Sequence, residues 1–195
     1  MNIKLKIIVF LFLILINPIN SFSNEEIFKA EKWLNNITSM TADFIQVSSD
    51  GGSAEGKIFI KKNHGFSFEY SPPSPLLIVG RGNWVIVQDL IENTSNNYPL
   101  YQTPFSRFLS DNVSLSPEGF QTLSRTKNGI LEIKIVSSEE NGGFLQLDFS
   151  TNPFQLRRWI IIDQIGTKIV VTLQNHKFDI DLPASTFRGV PIKTN

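Results

Sequence analysis

The feature that most constrains this chain is a side-chain alternation with a period of two residues that recurs along most of its length. Phe66, Phe68 and Tyr70 alternate with Ser67 and Glu69. Similar alternating or β-branched runs occupy 42–46, 58–61, 84–87, 131–135, 145–149, 159–162, 169–173 and 178–182. Successive side chains of a strand point to opposite faces, so such runs are typical of half-buried strands.

Turn-forming residues separate these runs. They are Asp50-Gly51-Gly52, Asn128-Gly129, Asn141-Gly142-Gly143 and Asn152-Pro153. Strands that alternate with short turns of this composition are typical of an antiparallel meander. We therefore predict a mostly β (α+β) fold, and no break in composition divides the chain into two domains.

Two segments have helical spacing instead. Asn24 to Ile37 is predicted to be a helix capped by Asn24, with an apolar stripe formed by Ile27, Ala30, Leu34 and Ile37 beside Trp33. A second, short helix is predicted over 103–109, because Thr103 and Pro104 suit a helix start. Its apolar face consists of Phe105, Phe108 and Leu109. A purely structural role, in which this short helix packs over one end of the sheet, explains the pattern as well as a functional role does.

The first residues have the pattern of an export signal. Lys4 and Lys6 precede an apolar run from Ile7 to Ile16, and a small-residue site follows at Ser21-Phe22-Ser23. We expect residues 1–23 to be a signal peptide cleaved near Ser23, with 24–195 as one domain. A retained membrane anchor is the alternative, although ten apolar residues are about half of what spans a bilayer.

Composition excludes several classes of chemistry. The chain has no cysteine, so a disulfide, a thiolate nucleophile and a lipid-modified cysteine are excluded. Without Lys4 and Lys6 the chain has 16 cations and 18 anions, which gives no bulk attraction to nucleic acid. The two histidines, His64 and His176, are far apart in the sequence, so a zinc site is not expected. No nucleophile elbow or phosphate-binding loop occurs either, so we do not expect an enzyme.

What the sequence has in abundance is aromatic surface. Of 16 phenylalanines, 13 follow the predicted signal peptide, and many lie on predicted strands. For any single residue, a place in an ordinary core explains the pattern well. An apolar face with helices as movable covers also suits the binding of an acyl chain or an apolar peptide. From the residues alone, the chain is interpreted as an exported β-domain that binds a ligand.

An ordered series of motifs resembles one known family. The segment Ser39-Met40-Thr41-Ala42-Asp43-Phe44-Ile45-Gln46 resembles the strand that opens the sheet of the LolA family, whose members carry lipoproteins through the periplasm to the outer membrane. Further segments match in order and spacing. They are Glu55–Lys62, Phe66–Pro73, Pro75–Val79, Trp84, Tyr98–Leu100, Thr103-Pro104 and Asn152-Pro153. The resemblance runs from about Ile27 to Phe187.

The resemblance implies an unclosed antiparallel β-barrel with covering helices. It implies that Phe44, Phe66, Phe68 and Trp84 line the acyl-chain cavity, and that Pro104, Phe105, Phe108 and Leu109 belong to a lid. The family usually has an arginine followed by proline that holds the lid shut, where this chain has Lys62 and Asn63. Lysine lacks the planar guanidinium fork, so we expect Lys62 to be a weaker or different latch.

The implied function is transport of lipoproteins by a periplasmic monomer, with no cofactor and no chemistry on the ligand. The implied partners are the acyl chains of lipoproteins, an inner-membrane lipoprotein-releasing ABC transporter and an outer-membrane acceptor, with no nucleic acid. The alternatives are a periplasmic domain that senses lipidated or misfolded proteins, and a carrier of free lipids.

Overall fold

The computed structural model describes residues 22–102, 112–138, 143–162 and 165–191. One α-helix, α1, spans Phe22–Asn36. Eleven strands follow it in the sheet: β1 Ser39–Ser48, β2 Ser53–Lys61, β3 Gly65–Tyr70, β4 Leu76–Arg81, β5 Trp84–Asp89, β6 Thr94–Pro99, β7 Phe120–Lys127, β8 Ile130–Ser137, β9 Phe144–Thr151, β10 Phe154–Ile162 and β11 Lys168–Phe178. One-turn 3-10 helices lie at Leu100–Gln102 and Ala184–Phe187.

All the strands belong to one antiparallel sheet in the order β6-β5-β4-β3-β2-β1-β11-β10-β9-β8-β7. Each half of the sheet is a meander, and pairing of β1 with β11 joins the halves. The strands β6 and β7 are the two edges, so the sheet is unclosed. The predicted mostly β, unclosed antiparallel architecture is confirmed.

The two faces of the sheet are covered by different parts of the chain. The inner face carries Phe44, Ile58, Phe66 and Phe149, and α1 packs on it to form the larger core. The outer face carries Leu77 and Val79, which pack against Leu182 and Phe187 of the C-terminal segment. This segment, residues 179–191, is called the strap below. Strands β2 and β4 therefore contribute side chains to both cores.

Several details differ from the sequence prediction. The helix begins at Phe22, so Asn24 lies inside it and does not cap it. The predicted strand over 178–182 is wrong, because β11 ends at Phe178 and Asp179 adopts a φ of 52°. Strands β4, β6 and β7 were not predicted.

Some predictions fall outside the described residues. They are most of the signal peptide (residues 1–21) and the short helix with its lid residues Pro104, Phe105, Phe108 and Leu109. Within the described part of the chain, no helix is long and apolar enough to cross a bilayer.

Candidate binding site

The apolar stripe of α1 packs on the inner face as its spacing predicts. Ile27 and Ala30 are buried, and Leu34 and Ile37 are partly buried against the same core. The ring of Trp33 meets Phe149 edge-on at 5.6 Å and Phe178 at 5.7 Å. Such aromatic pairs add about 0.5–1.5 kcal/mol to the burial of their area. The helix is therefore attached mainly through apolar contacts.

Three of the four residues predicted to line the cavity lie together on the inner face. Phe44 and Phe66 are 1% exposed and Phe68 is 4% exposed. Phe68 lies 5.6 Å from Phe44, 5.7 Å from Phe66 and 6.2 Å from Trp159, measured between ring centroids. Phe66 also packs over Gly80, where any side chain would collide with its ring. Phe44, Phe66, Phe68 and Trp159 therefore form a connected aromatic cluster on the inner face.

The fourth residue, Trp84, lies on the other face, and this expectation is corrected. Trp84 pairs with Arg81 and Pro99 on the outer side of β5 and is 54% exposed. Its neighbour Val85 is the buried inward residue. Because side chains alternate along a strand, an error of one residue moves the side chain to the opposite face.

A small apolar cavity remains between α1 and the inner face. Its volume is about 60 Å³. It is lined by Trp33, Leu34, Ile37, Met40, Ile58, Ile60, Lys62, Leu156 and Trp159. Sequence reasoning placed Ile58 and Ile60 on one face but did not identify Trp33, Met40 or Trp159 as lining residues. The signal for Trp33 was its place beside the apolar stripe of α1.

Lys62 lies at the rim of this cavity and binds the end of α1. Its ammonium group donates to the backbone oxygen and to Oδ1 of Asn35, both at 3.1 Å. Asn35 in turn accepts a hydrogen bond from the Val113 amide at 2.8 Å and donates to the Val113 carbonyl at 3.0 Å. Lys62 therefore contacts the segment that follows the predicted lid through Asn35.

Two carboxylates on α1 add further polar ties. Glu31 accepts a hydrogen bond from the buried backbone amide of Leu115 at 2.7 Å. Glu26 accepts from the hydroxyls of Ser124 at 3.2 Å and Thr126 at 2.6 Å on β7. The helix is thus tied along its length to β7 and to the segment before it.

Two titratable groups in or beside the inner core have shifted pKa values. Burial raises the pKa of Tyr70, whose hydroxyl donates to Gln46 at 3.0 Å. Burial lowers the pKa of His176, and the positive charge of Arg157 acts in the same direction. The Nε2 atom of His176 is buried without a hydrogen-bond partner, and its ring stacks on Phe178. Both shifts express the low polarity of this region.

The described residues contain no group of three or more acidic or histidine side chains placed to hold a metal ion. What the geometry provides is an extended apolar face, a helix that covers it and a small cavity at the boundary. This arrangement defines a binding protein built on an open β-sheet.

Comparison with known proteins identifies the family. The family model of the outer membrane lipoprotein carrier protein LolA matches residues 35–189, and the chain belongs to this family. The resemblance inferred from the sequence motifs is therefore confirmed.

Individual relatives add the following. The chain is 32% identical over 123 residues to the uncharacterized protein RP864 of Rickettsia prowazekii (strain Madrid E), a match that covers 62% of the chain and 57% of that relative. An uncharacterized conserved protein from Thermus thermophilus has a TM-score of 0.54 at 13% identity, covering 86% of this chain and 94% of that one. The Pseudomonas aeruginosa MucA/MucB complex gives a TM-score of 0.51 at 7% identity, covering 83% and 61%. These two likenesses show the fold alone.

Proposed function

We propose that this protein is a periplasmic carrier that binds the acyl chains of lipoproteins between α1 and the inner face of the sheet. The observation that carries the proposal is the aromatic inner face beneath a helix that leaves a cavity of about 60 Å³ at its end. Membership of the lipoprotein-carrier family supports it. Phe44, Phe66 and Phe68 would contact the ligand, and the segment with Pro104, Phe105, Phe108 and Leu109 would act as a lid.

The size of the cavity determines how binding proceeds. A volume of about 60 Å³ corresponds to about two water molecules, so an acyl chain does not fit while α1 is in place. Each methylene removed from water contributes about 0.8 kcal/mol, which provides the free energy to displace the cover. Displacing α1 uses part of the free energy of ligand binding, so the net affinity for the ligand stays low enough for release.

This mechanism sets the place of the protein in transport. A lipoprotein would be loaded at an inner-membrane ABC transporter, cross the periplasm with its chains covered, and be released to an outer-membrane acceptor. The carrier changes no covalent bond of its ligand. A lipid-binding or lipoprotein-sensing domain without a transfer role is the alternative, and it predicts normal lipoprotein localisation when the protein is removed.

Depletion of the protein followed by fractionation of membranes tests the transport role. We expect outer-membrane lipoproteins to accumulate at the inner membrane. If lipoproteins still reach the outer membrane at normal levels, transport is excluded and the sensing alternative is favoured.

Photo-crosslinking tests the binding face with a matched pair of positions. Ile60 lines the inner cavity, and the adjacent Phe59 packs against the outer core. A photoreactive phenylalanine analogue at position 60 should crosslink to a bound lipoprotein, and the same analogue at position 59 should not. Equal crosslinking from both positions would contradict binding at the inner face.

A further inference from the structure

A second, much larger cavity lies on the outer face of the sheet, away from the inner face and α1. Its volume is about 920 Å³. It is lined by Asn63, His64, Arg81, Gly82, Asn83, Trp84, Ile86, Asn97, Ala184, Phe187, Arg188 and Gly189. We call it the outer groove. A volume of this size is within the range of sites for small organic ligands, about 300–1,000 Å³.

Two turns and the strap build this groove. The β2–β3 turn contributes Asn63, at a φ of 61°, and His64. The β4–β5 turn contributes Gly82, at a φ of 58°, with Arg81 before it. These turns lie at the same end of the meander, because they are separated by two antiparallel strands.

The strap holds the remaining wall in a fixed position. Phe187 is 2% exposed in the outer core. The buried side chain of Gln88 donates to the Val190 carbonyl and accepts from the Val190 amide, both at 2.8 Å. Arg188 lies between these two anchors. The fold therefore holds the described walls of the groove in fixed positions.

The lining has an excess of positive charge. Arg81 and Arg188 are exposed cations, and none of the described lining residues is a carboxylate. Neither arginine forms an ion pair with another described residue. The amides of Asn63, Asn83 and Asn97 add neutral donors and acceptors. The outer groove thus presents unneutralised cations to whatever enters it.

The same groove has an apolar floor. Trp84 and Ile86 lie side by side on the outer face of β5, and Trp84 is 54% exposed. A large, half-exposed indole beside guanidinium groups suits a ligand with an anionic part joined to an apolar part. A purely ionic ligand would leave this floor unused, and a purely apolar ligand would leave the arginines unpaired.

We propose that the outer groove binds a phosphate ester attached to an apolar chain, the chemistry of an anionic phospholipid. Guanidinium forks match phosphate oxygens in bidentate geometry. A tetrahedral phosphate presents oxygens in several directions, which suits two arginines and an imidazole on separate walls better than a planar carboxylate does. The first methylenes and the glycerol would lie over Trp84 and Ile86. Because the groove is on the outer face, this site is independent of the proposed acyl-chain site.

Calorimetry combined with tryptophan fluorescence tests this proposal. Trp84 is half exposed, whereas Trp159 is buried and Trp33 is partly buried, so Trp84 should dominate a ligand-induced spectral change. The probes are dihexanoyl phosphatidylglycerol below its micelle concentration, dihexanoyl phosphatidylcholine, glycerol phosphate and inorganic phosphate. We expect phosphatidylglycerol to bind tightest and to shift the tryptophan emission. The double variant Arg81→Gln/Arg188→Gln should weaken its binding at least about tenfold, the size of one lost charge-assisted hydrogen bond.

Matched controls separate this site from general attraction. Lys127→Gln removes one exposed cation from the edge strand β7 and should leave binding unchanged. Trp84→Ala should weaken phosphatidylglycerol and leave glycerol phosphate unaffected. Three results would overturn the proposal: equal binding of inorganic phosphate and phosphatidylglycerol, equal binding of phosphatidylcholine, or unchanged binding in the double arginine variant. Each leaves the carrier function standing, because acyl-chain binding is measured separately by crosslinking at position 60.

Discussion

Lys62, which directly follows β2, connects the sheet to the C-terminal end of α1 through one residue, Asn35. A cation is favourable at the last carbonyls of a helix, where the partial charge is negative, and Lys62 donates to the Asn35 carbonyl there. The next residue, Asn63, lies in the β2–β3 turn. Asn63 adopts a φ of 61°, which proline cannot adopt, so the arginine-proline pattern of the family does not fit this turn. We infer that Lys62 stabilises the closed position of α1 through Asn35.

Substitution of Lys62 tests this role. Lys62→Ala should weaken the closed state by about 1 kcal/mol, because a partly exposed charge-assisted hydrogen bond is lost. Affinity for an uncharged apolar dye such as Nile red should then rise about fivefold, since more of the protein is open. Lys62→Arg keeps the charge and the donors, so its dye affinity should remain close to that of the wild type. Equal dye binding in all three proteins would contradict the latch.

His176 should make stability depend on pH. Its folded pKa lies below the ordinary value of 6.5, whereas the unfolded chain keeps that value, so the unfolded state binds more protons. The contribution of neutral His176 to the free energy of unfolding is therefore complete above about pH 6.5, and it is lost as the pH falls through the folded pKa. Thermal unfolding between pH 7.5 and 5 should show this decline in the wild type and a smaller decline in His176→Gln.

Asp43 and Asp50 do not obscure this comparison. The pKa of Asp43 is lowered, first by its hydrogen bond from Asn175, and that of Asp50 by the Gly52 amide, so their contributions are lost only below the ordinary value of 3.8. Parallel unfolding curves for the wild type and His176→Gln across pH 5–7.5 would show that His176 is not the titrating group.

At the scale of elements, the sequence predicted strands wherever alternation was strong. Phe66 to Tyr70 and Leu131 to Ile135 lie in β3 and β8. Strand β6, Thr94–Pro99, was missed because its residues are mostly polar and exposed at an edge. The strand predicted over 178–182 fails for another reason. Ile180 and Leu182 face the outer core, whereas Phe178 ends β11 on the inner face. Residues 179–182 form no strand, because periodicity indicates a buried face without indicating pairing.

The candidate site was less predictable than the fold. The family resemblance implied all four lining residues: Phe44, Phe66 and Phe68 do lie on the inner face, whereas Trp84 lies one residue of register away, on the outer face. The contact of Asn35 with Val113 joins residues 78 positions apart, and no local pattern encodes it. The outer groove combines two turns with the strap, so it exists only in the folded chain.

The polar ties of α1 give a prediction for the helix as an element. Glu31→Ala should leave the buried amide of Leu115 without its acceptor and cost about 1–3 kcal/mol. Hydrogen exchange at Leu115 should accelerate accordingly. Glu31→Gln keeps an acceptor oxygen and should restore part of the protection, and Lys32→Ala, at an exposed position on the same helix, should have no effect. Unchanged exchange at Leu115 in Glu31→Ala would mean that this contact does not hold the helix.

At the scale of the whole molecule, the two faces of the sheet have covers of different character. The strap on the outer face is anchored by buried Phe187, by the paired hydrogen bonds of Gln88, and by Lys61, which donates to the Leu182 carbonyl at 2.8 Å. The inner cover, α1, rests on an apolar surface that an acyl chain can replace, and its polar ties run to β7, to Leu115 and to Lys62. Displacement of α1 leaves the Leu115 amide without its Glu31 acceptor, but an acyl chain replaces the apolar contacts of the helix. Displacement of the strap leaves the buried side chain of Gln88 unpaired and also exposes Phe187 to water.

This difference predicts which cover moves when a ligand binds. With a lipoprotein or a long-chain acyl peptide bound, amide exchange in residues 22–36 should accelerate, because the ligand takes the place of α1 on the inner face. Exchange in residues 179–191 should stay as slow as in the free protein. Hydrogen-exchange mass spectrometry with and without ligand compares the two segments in one experiment, so the strap serves as the internal control. Faster exchange in the strap with no change in α1 would show that the ligand enters from the outer face, and the carrier mechanism would then have to be assigned to the opposite side of the sheet.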